Sequence, residues 1–158
     1  MKDFRVGFST TSAPISRIIR AVTGSRVSHA FLLYWSDDLD QDMVLEATTE
    51  GLRIVSWARF QKSSRVLETL PIAWPIAPAL RQHADWLGIH YDFAGLVGAA
   101  AVVASGGRLS NPLGFGSDSL FCTEFIVRIL RAAGHPGAEA LKVEGTTPDQ
   151  LRAFFKAK

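Results

Sequence analysis

The sequence predicts an α+β fold, in which a curved antiparallel sheet from the middle of the chain packs against helices from the C-terminal half. Two patterns support this: short apolar and aromatic runs separated by turn residues between positions 29 and 70, and longer helical segments after Pro78. With 158 residues, 47% of them hydrophobic, the chain is long enough for one buried core and too short for two ordinary domains. We therefore predict a single domain over residues 1–158.

Charge, cysteine content and hydropathy exclude several classes of protein. The 17 basic and 15 acidic residues leave a formal net charge of +2, which gives no strong signal for a nucleic-acid partner. Cys122 is the only cysteine, so an internal disulfide and a cysteine-rich zinc site are excluded. The most apolar run, Phe93–Ala104, is shorter than the roughly 20 residues that span a membrane. The N-terminal segment lacks the apolar stretch of a secretory signal, so we expect a cytoplasmic protein.

The first part of the chain predicts one strand and one basic amphipathic helix. Arg5–Ser9 is the predicted strand. After Pro14, apolar residues recur at i, i+3, i+4 and i+7, with Arg17 and Arg20 on the other side, which predicts a helix ending at Gly24. We expect this helix to pack on the core rather than lie on a membrane surface.

The following segments are predicted to form an antiparallel meander. Its strands are expected at His29–Trp35, Met43–Ala47, Leu52–Trp57 and Ser64–Leu70. The acidic loop Ser36–Asp42 has the opening spacing of a calcium site, but Met43 and Thr49 stand where such a loop needs glycine and glutamate. We interpret it as a solvated hairpin loop.

The C-terminal half is predicted to be helical. Helices are expected at Pro78–Leu87, at Phe93–Ala104, at Leu120–Ala133 and from Thr147 onward. Gly106–Gly116 is predicted to be an exposed loop, followed by the capping candidates Ser117, Asp118 and Ser119.

Cys122 falls in the first turn of the third of these helices. Unpaired backbone N–H groups and the helix dipole favour a thiolate there, which would make Cys122 a nucleophile. The alternative is a buried structural cysteine between Phe121 and Phe125, because cysteine is among the most buried residue types. Position alone leaves both interpretations open.

Two further residues are candidates for chemistry. His29 begins the first strand of the meander, and the absence of HxxxH or similar spacing means that no metal site is predicted. Glu46 is an acid within an apolar strand, where an unpaired buried carboxylate would be costly. A glutamate that faces solvent from a half-exposed strand is the alternative interpretation of Glu46.

A thiolate, a histidine base and a carboxylate together form the arrangement of a cysteine hydrolase. The segments SHAFLLYW, VLEATTEGL, YDFAG, LFCTEFIV and TTPDQL, in this order, resemble the circularly permuted papain-like amidases. These are relatives of the NlpC-type cell-wall peptidases and of lecithin retinol acyltransferase. The resemblance extends from Gly7 to Leu151, and the histidine precedes the cysteine as it does in the permuted group.

The resemblance implies a permuted papain-like fold and a thiol-dependent hydrolase or acyltransferase that acts on an amide, ester or thioester without a cofactor. It implies Cys122 as nucleophile, His29 as general base and then acid, and Glu46 as the third member of the triad. The substrates it implies are small peptides, amides or lipid-like molecules. Thr123 departs from the pattern, where serine is common. Tyr91 is a candidate oxyanion donor, with packing against a helix as its alternative.

Two other classes of function stay open at this point. One is a non-catalytic binding module that retains the fold and contacts phosphates through Arg17, Arg20 and Arg26. The other is an accessory protein with a vestigial triad. Catalysis requires the Cys122 sulfur and the His29 ring to lie within hydrogen-bond reach, at about 3 to 4 Å.

Overall fold

A five-stranded antiparallel sheet forms the centre of the protein. The computed structural model describes residues 3–13, 16–17, 20–21, 24–48, 51–88, 122–143 and 145–157. The strands are β1 (Phe4–Thr10), β2 (His29–Ser36), β3 (Gln41–Thr48), β4 (Gly51–Ser56) and β5 (Arg65–Pro71), in the spatial order β4-β3-β2-β1-β5. The α+β class and the antiparallel sheet are therefore confirmed.

Helices surround this sheet. They are α1 (Trp57–Ser63), α2 (Ala77–Gln82), α3 (Cys122–Ala132) and α4 (Pro148–Lys156), with 3-10 turns at Ala84–Trp86 and Ala138–Ala140. Within the predicted helix from Pro14 to Gly24, residues 16, 17, 20 and 21 are described and are helical. The predicted Phe93–Ala104 helix, the Gly106–Gly116 loop and its capping candidates lie outside the described residues. In the described part of the chain, no helix is long and apolar enough to cross a membrane.

Consecutive hairpins join β2, β3 and β4, as the sequence predicts. The predicted acidic loop is shorter than expected, because β2 continues through Ser36 and β3 already begins at Gln41. Asp40 has a left-handed backbone with φ of 49°, a conformation that aspartate tolerates in turns. In the second hairpin Thr48 pairs with Gly51, and this register sets Glu46 directly opposite Arg53.

The predicted position of the last strand is wrong. β5 does not follow β4 in a meander but pairs with β1 at the opposite edge of the sheet. The cause is α1, which the sequence analysis missed: β4 ends at Ser56, whose hydroxyl accepts a hydrogen bond from the Arg59 N–H, and Trp57 begins the helix instead of ending the strand. The helix buries Phe60 against Phe31 on the sheet and brings the chain to the free edge of β1.

The prediction of one continuous helix over Pro78–Leu87 is also wrong. The α-helix ends at Gln82, and His83 has a non-helical backbone before the following 3-10 turn. The His83 ring donates through Nδ1 to the carbonyl of Ala79 at 2.8 Å, while the His83 backbone N–H bonds to Leu80 instead. The His83 side chain thus bonds to the Ala79 carbonyl, which the His83 backbone N–H would bond to if the helix continued.

The two faces of the sheet carry separate apolar clusters. The larger cluster joins alternate sheet residues such as Phe8 and Leu32 to Phe125, Ile126 and Ile129 of α3. The smaller one lies on the other face and consists of Phe31, Leu33, Val44 and Phe60. Since side chains alternate along a strand, His29 shares the smaller cluster's face with Phe31, and Glu46 shares it with Val44.

Candidate active site

His29 lies at the end of the sheet as the first residue of β2. Its side chain is 17% exposed. The centroid of its ring lies 6.4 Å from the ring centroid of Phe31 and 6.4 Å from that of Phe60. The preceding residue, Ser28, is buried, and its hydroxyl bonds to those of Ser16 at 2.6 Å and Thr10 at 3.2 Å. This hydroxyl network anchors the chain immediately before the candidate base.

Glu46 is buried and bonded to positive groups on both carboxylate oxygens. Its Oε2 accepts a hydrogen bond from Nε2 of His29 at 2.9 Å, and its Oε1 accepts from Nε and Nη2 of Arg53 at 3.1 and 3.0 Å. With a side chain only 5% exposed, Glu46 is not the solvent-facing glutamate of the alternative interpretation. Burial alone would raise the pKa of Glu46, but the hydrogen bonds and charges of His29 and Arg53 lower it.

Arg53 is a site residue that the sequence analysis missed. An arginine on a short strand is normally interpreted as a solvated side chain, and its own side chain is 42% exposed. The signal was the turn that the sequence predicts between the strands Met43–Ala47 and Leu52–Trp57. Thr48 pairs with Gly51, so residues at equal distances before and after this pair are opposed, and Glu46 faces Arg53. A register assigned from this turn would have paired the buried acid with an arginine.

Cys122 meets His29 where β2 begins. It is the first residue of α3, it is 7% exposed, and its thiol is hydrogen-bonded to the His29 side chain. The backbone N–H groups of Ala30 and Thr123 also bond to the sulfur. Because Glu46 occupies Nε2 of His29, the ring nitrogen left for the thiol is Nδ1.

The electrostatics of this contact favour an ion pair. Burial on its own would lower the pKa of His29, yet the hydrogen bonds and charges of Cys122 and Glu46 raise it from 6.5 to about 10. Burial likewise would raise the pKa of Cys122, but His29 and the two backbone N–H groups lower it. Both directions favour the thiolate–imidazolium form of the pair.

The residues that follow Cys122 hold the start of α3 in position. The Thr123 hydroxyl donates to the carbonyl of Thr146 at 2.6 Å. Glu124 is buried and accepts hydrogen bonds from Arg128, one turn along the helix. Phe125 packs in the larger apolar cluster. Thr123 thus ties the helix start to the segment before α4, and Phe125 packs it on the sheet.

His29, Glu46 and Cys122 thus come together at one end of the sheet, whereas Tyr91 lies outside the described residues. Over the ranges that the structure describes, no group of three or more histidine, cysteine, aspartate or glutamate side chains is arranged to hold a metal ion. Comparison with known protein families and with curated protein sequences finds no match.

Proposed function

We propose that the protein is a cysteine hydrolase or acyltransferase in which the sulfur of Cys122 attacks a substrate carbonyl. The observation that carries the proposal is the chain of hydrogen bonds from Cys122 to His29 to Glu46. A nucleophile, a base and a group that orients the base are the three components of this chemistry. The substrates that fit are small peptides, amides and lipid-like acyl compounds, and the reaction needs no cofactor.

The first half of the reaction forms an acyl-enzyme. The Cys122 thiolate adds to the carbonyl of an amide, ester or thioester, and the resulting tetrahedral oxyanion collapses with loss of the amine, alcohol or thiol. The proton on Nδ1 of His29 moves to that leaving group, so that His29 acts as a general acid in this step. Glu46 keeps the ring oriented through Nε2 and stabilises its positive charge.

The second half releases the acyl group. Neutral His29 takes a proton from water or from an acceptor alcohol or amine, whose oxygen or nitrogen adds to the thioester carbonyl. Collapse of the second tetrahedral intermediate expels the Cys122 thiolate and restores the protonated His29. With water the product is a carboxylic acid, and with another acceptor the product is a transferred acyl group.

Backbone groups at the start of α3 are suitable donors for the oxyanion. The first N–H groups of a helix have no partner within the helix, and the dipole is positive at that end. The N–H of Cys122 is one of these groups and belongs to the same residue as the attacking sulfur. Such donors stabilise charge that develops in the transition state.

We further propose that the fold is permuted papain-like. Support comes from the chain order of His29, Glu46 and Cys122, and from the helix that begins with the cysteine and packs on the sheet that carries the other two residues. The non-catalytic binding module is the alternative, and it predicts that this thiol forms no acyl intermediate.

The proposed function is tested by incubating the protein with p-nitrophenyl acetate and locating the acetyl group by mass spectrometry. We expect one acetyl group on Cys122, none in Cys122→Ser, and a formation rate that is at least about 100-fold lower in His29→Ala. His83→Ala serves as the matched control, since His83 lies outside the site, and it should acetylate at the wild-type rate. Acetylation of lysines alone, or equal rates in His29→Ala and His83→Ala, would favour the non-catalytic module.

A further inference from the structure

Two adjoining cavities, of about 380 and 670 Å³, lie at the ends of β1 and β5. Both are lined by Thr10, Arg17, Arg20 and Arg65. Neither is lined by a member of the Cys122, His29 and Glu46 site. Their volumes fall within the range of about 300 to 1,000 Å³ that is usual for small-molecule sites.

The walls of these cavities carry a cluster of five positive charges, which we name the basic cavity cluster. Its members are Arg17, Arg20, Arg26, Lys62 and Arg65. Among the described residues, none of these five forms an ion pair with a carboxylate, although seven ion pairs are formed by other side chains. Six residues with hydroxyl side chains line the same space, namely Thr10, Thr11, Ser12, Ser25, Ser63 and Ser64.

An anionic occupant would offset the repulsion between these charges, four of which (Arg17, Arg26, Lys62 and Arg65) belong to solvent-exposed residues. Like charges that face one cavity repel each other, and here they come from separate segments: the helical residues after Pro14, the end of α1 and the start of β5. A ligand carboxylate would offer only two acceptor oxygens, whereas the four guanidinium groups of the cluster present many N–H donors. A phosphate monoester offers three terminal oxygens and close to two negative charges at neutral pH.

We propose that the basic cavity cluster binds a small molecule that carries a phosphate monoester. The cavities are larger than a phosphate group requires, so they also accommodate an organic part of the ligand. With a formal net charge of +2, the molecule as a whole lacks the strong positive field that a nucleic-acid surface would need.

Buried hydrogen bonds attach part of the cluster to the sheet. Thr10 and Ser16 are buried and bond to each other and to Ser28, which ties the segment that bears Arg17 and Arg20 to the ends of β1 and β2. Ser28 immediately precedes His29, so a bound phosphate ester would lie beside the end of the sheet that holds the candidate base. The binding proposal itself does not depend on catalysis by Cys122.

Calorimetric titration of the full chain at constant ionic strength tests this proposal, with inorganic phosphate and glycerol 3-phosphate as probes. We expect saturable binding of one equivalent of either probe. Each of Arg17→Gln and Arg65→Gln should weaken that binding about tenfold, the usual effect of losing one charge-assisted hydrogen bond. Arg81→Gln is the matched control, because Arg81 is exposed and lines neither cavity, and its binding should stay at the wild-type level.

The proposal is overturned if neither probe binds saturably, or if Arg81→Gln weakens binding as much as Arg65→Gln does. Association with anionic vesicles without saturable binding of the soluble probes would also overturn it, since that pattern indicates diffuse surface attraction. Arg26→Gln, at an exposed position before β2, provides a third variant if one of the others fails to fold. Because binding is measured with Cys122→Ser as well as with the wild type, its outcome is separate from that of the acetylation experiment.

Discussion

His29 is the residue on which the candidate site depends, because it alone touches both other members. Its Nε2 donates to Glu46 at 2.9 Å and its ring also bonds to the Cys122 thiol. The site is therefore a linear chain in which the carboxylate acts on the sulfur only through the imidazole. Loss of the middle member should remove proton transfer, while loss of the outer carboxylate should leave it impaired.

Glu46→Gln and His29→Ala should affect the reaction of Cys122 to different extents. We expect Glu46→Gln to lower the rate of Cys122 acetylation less than His29→Ala does, because an amide oxygen can still accept from Nε2 although it adds no charge. The rate is measured by release of p-nitrophenol in a stopped-flow burst. Equal losses in the two variants would count against the role assigned to His29.

Arg53 leads to a second prediction, which concerns the same carboxylate. Replacing Arg53 with methionine removes two hydrogen bonds to Oε1 of Glu46 and one of the two charges that lower the pKa of that carboxyl. The pKa of Glu46, measured by carboxyl NMR titration, should rise in Arg53→Met. Arg128→Met, which removes the corresponding partner of Glu124, is the control and should leave the Glu46 titration unchanged.

The elements of the fold were predictable where local pattern determines them. The three strands from His29 to Ser56 and the cysteine helix follow from apolar runs and turn residues, and the structure contains them. The edge at which β5 pairs was not predictable in this way, because it depends on α1. That helix has seven residues and buries only Phe60, so its periodic signal is too short to separate from the end of a strand.

The site shows the same division between local and non-local information. The sequence order and the residue types indicated Cys122, His29 and Glu46, but Arg53 required the register of a hairpin.

The break at His83 depends on one side-chain hydrogen bond within a helix, which propensity does not encode.

A third prediction concerns the pairing of β1 with β2. Gly7 pairs with Phe31, and a methyl group added at Gly7 would overlap the buried Phe31 ring. We expect Gly7→Ala to lower the free energy of unfolding by about 1 to 3 kcal/mol, as overpacking usually does. Urea unfolding measures this change. In a Phe31→Leu background the cost of Gly7→Ala should become smaller, and an unchanged cost would show that the ring is not its cause.

The pairing of Cys122 with His29 at the candidate site links the stability of the fold to pH. The raised pKa of His29 stabilises the folded state fully below pH 6.5, and this contribution is lost as the pH rises to about 10. The lowered pKa of Cys122 acts in the opposite sense: its contribution is complete above the ordinary value of 9.0 and is lost as the pH falls. The two trends therefore oppose each other below pH 9.

The fourth prediction concerns the slope of stability against pH. The free energy of unfolding of the wild type, minus that of the double variant Cys122→Ala/His29→Ala, should decline from pH 9 to 10, where only the contribution of His29 is still being lost, and should change less per pH unit from pH 6.5 to 9, where the two trends oppose each other. Urea unfolding at a series of pH values measures the difference. A difference that falls steadily across the range from pH 6.5 to 9 would mean that His29 is protonated without a thiolate beside it.

Alkylation of Cys122 by iodoacetamide tests the central claim most directly, because only the thiolate reacts and no substrate needs to be known. An ordinary thiol is only a few per cent ionised at pH 7, so full ionisation raises the reactive fraction up to about 30-fold. We predict that the folded wild type labels about tenfold faster than an ordinary thiol, that His29→Ala labels more slowly, and that His83→Ala labels at the wild-type rate. Slow labelling of the folded protein, with rapid labelling only after denaturation, would contradict the account and identify Cys122 as a structural residue of the core.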